Sequence, residues 1–310
     1  MLDVVVALLA ISIVKSTPIV LGALSGTVSE RSGIVNIAIE GMMLGAAFAG
    51  FAVAVQTGSL GLGFVSAMLA GALLALLHAV LTVRYAVDQI ITGTAINILA
   101  VGLTGFFNRQ LFATGAPAGA MVLPRLHVPV LGDVPVLGPI LFQHQPLTFL
   151  AIVLVIVLQW ALFRTRWGLR TRAVGEHPLA ADTVGIHVSR LRIGNVILGG
   201  ILAGLGGAYF TLESVPHFEP LMTNGRGFIA LAAMIFGKWT PLGAWGAALL
   251  FGFTEALPVT LQIQGFAVPY QLVSMLPYVL TIVVVAGLVG RAHAPAAVGV
   301  PYLKGQRASG

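Results

Sequence analysis

Asn36, Glu40, Gln89, Thr92, Asn97 and Glu255 are hydrogen-bonding or ionisable residues set inside long apolar stretches. A carboxylate at bilayer depth costs about 2–3 kcal/mol on insertion scales, so it must face a bundle interior or water. Read as a helix starting near Gly33, the stretch SERSGIVNIAIEG (29–41) puts Asn36 and Glu40 one turn apart on one face. Glu40 is then roughly 10 Å inside the helix start. Two chemistries suit such residues. They line a path for a polar solute, or they hold helices together, with Asn97 or Lys15 the expected partner of Glu40. Glu30 and Arg31 read as solvated end charges. In VDQIITGTAIN (87–97), Asp88 suits an N-cap over the positive end of a helix. Behind it Gln89, Thr92 and Asn97 either bond a neighbouring helix or line the path. Glu255 lies mid-helix in GAWGAALLFGFTEALP, where it pairs structurally, coordinates a cation or faces a polar cavity. His78, alone on an apolar helix, reads as a satisfied core histidine.

Several chemistries are excluded. Gly237-Lys238 is followed by Trp239 and lacks the upstream glycine of a P-loop, so this chain has no phosphate cradle for ATP. H-E-x-x-H and G-x-S-x-G are absent, and GALSG (22–26) has the wrong spacing for a serine elbow. With no cysteine there is no disulfide, thiol nucleophile or thiolate metal site. The chain is therefore not expected to be an enzyme, and no cofactor is expected. The net charge of +6 comes from cations placed mainly at helix ends, which is a topology signal and not a nucleic-acid one.

The elements that must carry these residues are membrane helices. Of 310 residues, 58% are hydrophobic and 8% charged, against about 25% charged in soluble domains; the mean hydropathy is +0.99. Apolar runs near 20 residues match a hydrocarbon core of about 30 Å. The fold class is all-α, a polytopic transmembrane bundle of about eight to ten spans. The expected spans are 4–26, 34–55, 60–83, 89–112, 146–163, 191–212, 227–238, 241–261 and 270–290. The first, without a basic leader or cleavage site, reads as a retained helix. Segment 227–238 is about 18 Å long as a helix and suits a half-helix or re-entrant piece. Residues 1–290 are expected to form one membrane domain, and 291–310 a flexible cytoplasmic tail. Gly22/Gly26, Gly41/Gly45 and Gly200/Gly204 are spaced for close helix approach. The stretches 32–50 and 225–252 echo one another with opposite expected directions, as inverted repeats do.

The segment 164–192 holds six arginines against two acids, so it is expected in the cytoplasm, and 113–146 outside. Nine spans then run from an outer N-terminus to an inner C-terminus, in a bacterial-type inner membrane. Within the basic segment, GEHPLAADTVGI (175–186) suits a short helix opened by Pro178 and closed by Gly185. A short helix standing off the membrane between arginines suits docking to a soluble protein.

SERSGIVNIAIEGMMLGAAFAG, DQIITGTAINILA, AVGEHPLAADTVGIHVSRLR with GGILAGLGGAYF, and GRGFIALAAMIFGKWTPLGAWGAALLFG together resemble inner-membrane permeases of ATP-binding-cassette importers. That broad family serves branched-chain amino acids, ribose-type sugars and nucleosides, and these motifs look closest to its nucleoside branch. The resemblance runs in order from about residue 18 to 290. It implies a second permease subunit, alike or unlike, two cytoplasmic ATPase subunits and an external substrate-binding lipoprotein, all around a chain embedded in lipid. It also implies that Glu176, His177, Pro178, Leu179, Ala180, Ala181, Asp182, Thr183 and Gly185 form the helix that couples to the ATPase. An autonomous ion-coupled transporter or channel, working through Glu40 and Glu255, is the competing expectation; the docking helix has no task in it. The long proline-rich loop 113–146 departs from the family pattern.

Overall fold

The computed structural model describes residues 2–113, 122–263 and 293–303, with isolated positions 273, 275, 276 and 279. The chain is an all-α bundle. Among the described residues seven helices are long and apolar enough to cross a membrane. They are α1 (Leu2–Glu30), α2 (Ile39–Thr57), α3 (Leu60–Ala79, continued by a wide turn Val80–Arg84), α4 (Gln89–Leu111), α5 (Pro146–Arg164), α8 (Val188–Ala208, continued by a wide turn Tyr209–Ser214) and α10 (Pro241–Ile263). Shorter helices are α6 (Arg166–Glu176), α7 (Pro178–Thr183) and α9 (Arg226–Phe236). A two-residue hairpin, β1 (Leu126–His127) against β2 (Gln143–His144), gathers the loop before α5. The expected span 270–290 lies outside the described residues apart from those isolated positions.

Local signals account for many boundaries. Gly58, at φ +67°, ends α2, and the Ser59 hydroxyl then accepts the Leu62 N–H to open α3. Asp88 caps α4 as its sequence suggests, accepting the N–H groups of Ile90 and Ile91 at 2.9 Å. Helix α8 is the most enclosed span, and its glycines explain why. Gly199 faces Ser25 and Ser29 of α1, Gly200 and Gly204 meet Gly71 of α3, and Gly207 meets Met43 and Ala47 of α2. A Cβ on Gly204 would stand 2.7 Å from the Ala67 carbonyl oxygen. Lipid gives no hydrophobic drive between helices, so this close backbone approach is what holds α8 at the centre.

Three expectations need correction here. Helix α2 starts at Ile39, not 34: residues 31–38 form turns and irregular backbone, with Gly33 at φ +93°. Glu30 and Arg31 are not solvated end charges. The Trp239 indole donates to Glu30 Oε2 at 2.6 Å, while Arg31 Nε donates to the Trp239 carbonyl at 2.7 Å and its Nη2 to that of Lys238 at 3.2 Å. The Lys238–Trp239 turn has left-handed backbone and so exposes carbonyls that no helix satisfies; the end of α1 supplies the donors. Nor is the tail flexible throughout, because residues 293–303 pack back on the turn at Gly33 and on Gly175.

Helix α9 has 11 residues, about 16 Å of rise. Ala230 packs at Gly22 and Met234 at Gly26, so α9 runs alongside α1 in the same direction. Its first residue, Arg226, lines a cavity with Pro18, about 18 Å along α1 from the Glu30 end. Ile39 packs against the same Gly22 and Gly26, with α2 running the other way. Two helices therefore begin inside the bundle and run in opposite directions.

Candidate functional site

A helix that begins at depth leaves N–H groups without water to bond. In this chain, side chains from other helices supply the acceptors. Asn97 on α4 accepts the Gly41 N–H of α2 through Oδ1 at 2.7 Å and donates Nδ2 to the Ile37 carbonyl at 3.0 Å. Glu40, in the first turn of α2, accepts from Gly225 N–H at 2.8 Å, Gly227 N–H at 2.6 Å and the Thr223 hydroxyl at 2.6 Å, capping α9 from outside. Arg226, opening α9, donates to Glu255 of α10 at 3.0 and 3.2 Å and lies over the Phe210 ring at 5.6 Å. One polar chain thus links α4, α2, α9 and α10. A second cap follows the same rule: Glu213 accepts the Leu147 N–H at 2.8 Å and the Thr148 hydroxyl at 3.0 Å at the start of α5.

The junction borders open space. Glu40, Asn97, Asn224 and Phe228, with Ile98 and Val101, line a cavity of about 400 Å³. Leu221 and Asn224 also border a second cavity of about 420 Å³, reached by Lys15, Tyr209 and Arg226. Leu221 and Asn224 hold φ +63° and +46°, conformations that cost a branched or amide side chain energy and that concentrate at ligand sites.

Of the six path candidates, Glu40 and Asn97 come together at this cavity. Glu255 joins them only through Arg226. Asn36 lies outside the helix and does not share a face with Glu40; it is buried, with Nδ2 3.4 Å from the Ser29 hydroxyl. Gln89 accepts the Val35 N–H at 2.7 Å, and the Thr92 hydroxyl donates to its own helix at Asp88. These three hold the 31–38 turn and the start of α4. The expected direct partners of Glu40 were Asn97 and Lys15; Asn97 bonds the adjacent backbone instead, and Lys15 faces the second cavity. His78 is buried in the core as expected but only half satisfied: its Nε2 is 2.9 Å from the Val35 carbonyl oxygen, while Nδ1 has no partner among the described residues. Arg226, Thr223 and Glu213 escaped sequence reasoning. Gly225 and Gly227 flanking an arginine mark a turn, but nothing in one sequence names its acceptor.

The basic segment folds as two helices broken at His177, not one. Pro178 opens α7 and Gly185, at φ +84°, follows its end. Glu176 closes α6 instead of belonging to α7. Leu179 and Val184 stand 40% and 75% exposed, whereas Ala181 is buried against Val174 and Val188. Arg164, Arg166, Arg170 and Arg190 are exposed, but Arg192 is 1% exposed and belongs to the interior. A cleft of about 380 Å³ between Arg170 and Arg190 runs beside Gly185.

Known proteins are similar to this chain in sequence. The guanosine ABC transporter permease protein NupQ of Bacillus subtilis (strain 168) is 42% identical over 96% of both chains. The nucleoside ABC transporter permease protein NupC of Lactococcus lactis subsp. cremoris is 42% identical over 94% of this chain and 95% of its own. A putative glucose ABC transporter permease of Haloferax volcanii is 36% identical over 84% of this chain and 79% of its own. With residues 8–285 matched by the profile of the branched-chain amino acid transport system permease component, and helices, inner caps and cavity all within that span, the chain belongs to this family of multi-pass membrane permeases.

Proposed function

We propose that the chain passes a nucleoside through the bundle as one permease subunit of an ATP-binding-cassette importer, with residues 176–185 as the grip for a separate ATPase. The observation that carries the first part is 42% identity, end to end, to two permeases named for guanosine and nucleosides. The cavity at Glu40 supports it. Its volume of about 400 Å³ suits a small solute, and its wall divides into an apolar side (Ile98, Val101, Phe228) and polar groups (Asn97, Asn224). A nucleoside has the same division between base faces and polar edges.

The grip is supported by exposed Leu179 and Val184 on a segment outside every membrane-length helix, flanked by exposed arginines. Apolar side chains displayed there fit a groove on a soluble partner. ATP-driven movement of that partner acts on α7, through Ala181 on α6 and α8, and through the glycine faces of α8 on α1, α2 and α3. A partner shifts such an equilibrium only by binding its two states differently. The same reading puts a second permease subunit beside this one, an external lipoprotein against the loop 113–146, where Val130 and Leu137 are exposed, and the C-terminus in the cytoplasm. The ion-coupled alternative is disfavoured, because Glu40 already accepts three hydrogen bonds and Glu255 is paired with Arg226 through Oε2.

The test is uptake of radiolabelled guanosine, other nucleosides, ribose and glucose in cells with and without this gene and its partner ATPase. Nucleoside uptake should fall with either deletion and sugar uptake should not; the reverse pattern overturns the substrate. Asp182→Arg should reach the membrane yet abolish both uptake and ATPase association. Normal uptake by that variant removes the grip.

A further inference from the structure

Residues 293–303 reach three separate parts of the chain at one place. The Ala297 N–H donates to the Gly175 carbonyl at 2.8 Å and the Ala296 N–H to Glu176 Oε2 at 3.1 Å. The Gly299 N–H donates to the Gly33 carbonyl at 3.3 Å. Tyr302 packs on the cluster of Val174, Ala181 and Val188 that seats α7. At the centre lies Arg192. Its Nε donates to the Ser32 carbonyl and its Nη1 to that of Val300, both at 3.0 Å. Gly33 leaves the room for it, since a Cβ there would stand 2.6 Å from Arg192 Nη2 and 3.0 Å from the Ala297 carbonyl oxygen.

We infer that residues 293–303 are a strap that ties the coupling segment to the α1–α2 turn, with Arg192 as its positioning residue. The inference rests on the reading of 176–185 as the ATPase grip. The turn at 31–38 leads directly to Glu40, so a pull on α7 reaches the cavity by this route as well as through α8. Charge placement fits a purpose beyond burial: one guanidinium joins the Ser32 carbonyl, just past the end of α1, to the Val300 carbonyl of the tail, two oxygens that lie outside any helix. A tail serving only to cover apolar surface needs no buried cation.

The experiment uses the complete importer in proteoliposomes, with this chain, its companion permease, ATPase and binding protein. A chain ending at Ala294 should still co-purify with the ATPase, because Leu179 and Val184 remain, while uptake per ATP hydrolysed falls about tenfold or more. Because the chain has no cysteine, Ala297→Cys reports on the strap alone. That thiol should resist maleimide in the otherwise unaltered chain and react about tenfold faster once Arg192→Gln is added. Wild-type coupling by the shortened chain overturns the strap, as does equal labelling with and without Arg192. If the shortened chain fails to reach the membrane, the labelling comparison decides. Loss of co-purification in Leu179→Arg, an exposed position outside the Tyr302 cluster, with Ala297→Cys still protected supports the grip on its own, so the two readings fail separately.

Discussion

Two polar junctions stand at different depths of the bundle, and they solve the same problem with opposite charges. At Glu40 a carboxylate gathers the N–H groups of a helix start; at Arg192 a guanidinium joins a carbonyl just past a helix end to one in the returning tail. Each follows the sign of the helix terminus it serves. The difference lies in what each encloses. Glu40 borders a cavity of about 400 Å³, the proposed solute site. Arg192 is 1% exposed and borders only chain, as its proposed positioning role requires. Buried charge in this protein joins backbone segments that no helix ladder can reach, and only one of the two junctions opens on a cavity.

The most severe way to break the contrast is Glu40→Ala. It leaves two backbone donors and the Thr223 hydroxyl without an acceptor, a loss of about 3–6 kcal/mol. Thermal unfolding in detergent should report that loss, alongside uptake reduced to background. Glu40→Gln keeps one acceptor oxygen and should fall between; wild-type stability for Glu40→Ala would show that α9 does not need the cap. Next comes Arg192→Lys, expected to cost about 2–3 kcal/mol because an ammonium cannot span two carbonyls as a planar fork does. Its stability loss should exceed its effect on solute affinity, whereas Glu40→Gln should change both; equal effects on affinity would erase the distinction.

A smaller effect sharpens the Arg192 side. Gly33 and Gly58 both have left-handed backbone, at φ +93° and +67°, but only Gly33 is crowded. Gly58→Ala should cost about 1 kcal/mol from backbone alone. Gly33→Ala should cost more, about 2–3 kcal/mol, because the new methyl meets Arg192. Equal shifts in unfolding midpoint would mean that the guanidinium is free to move aside.

The Asp88 cap, the Pro178–Gly185 helix and the short eleventh-hour start of α9 were legible because each depends on residues a few positions apart. The 31–38 turn was not. IVNIAIEG has an apolar pattern that a helix accepts, and it is Gln89 and Asn97, holding Val35, Ile37 and Gly41 from α4, that stabilise the non-helical turn there. Arg192 was hidden differently, as one of six arginines whose common explanation was topology.

By itself the sequence determined that this is a helical membrane protein, roughly where its spans lie, that it carries no P-loop, and which permease family it resembles. Those follow from hydropathy, spacing and motifs, which add along the chain. Tertiary structure alone decided that Glu40 caps α9, that Glu255 is taken by Arg226, and that the tail returns to Gly175. A buried polar group is defined by its partner, and each of these partners lies far off along the chain, brought near only when the helices pack.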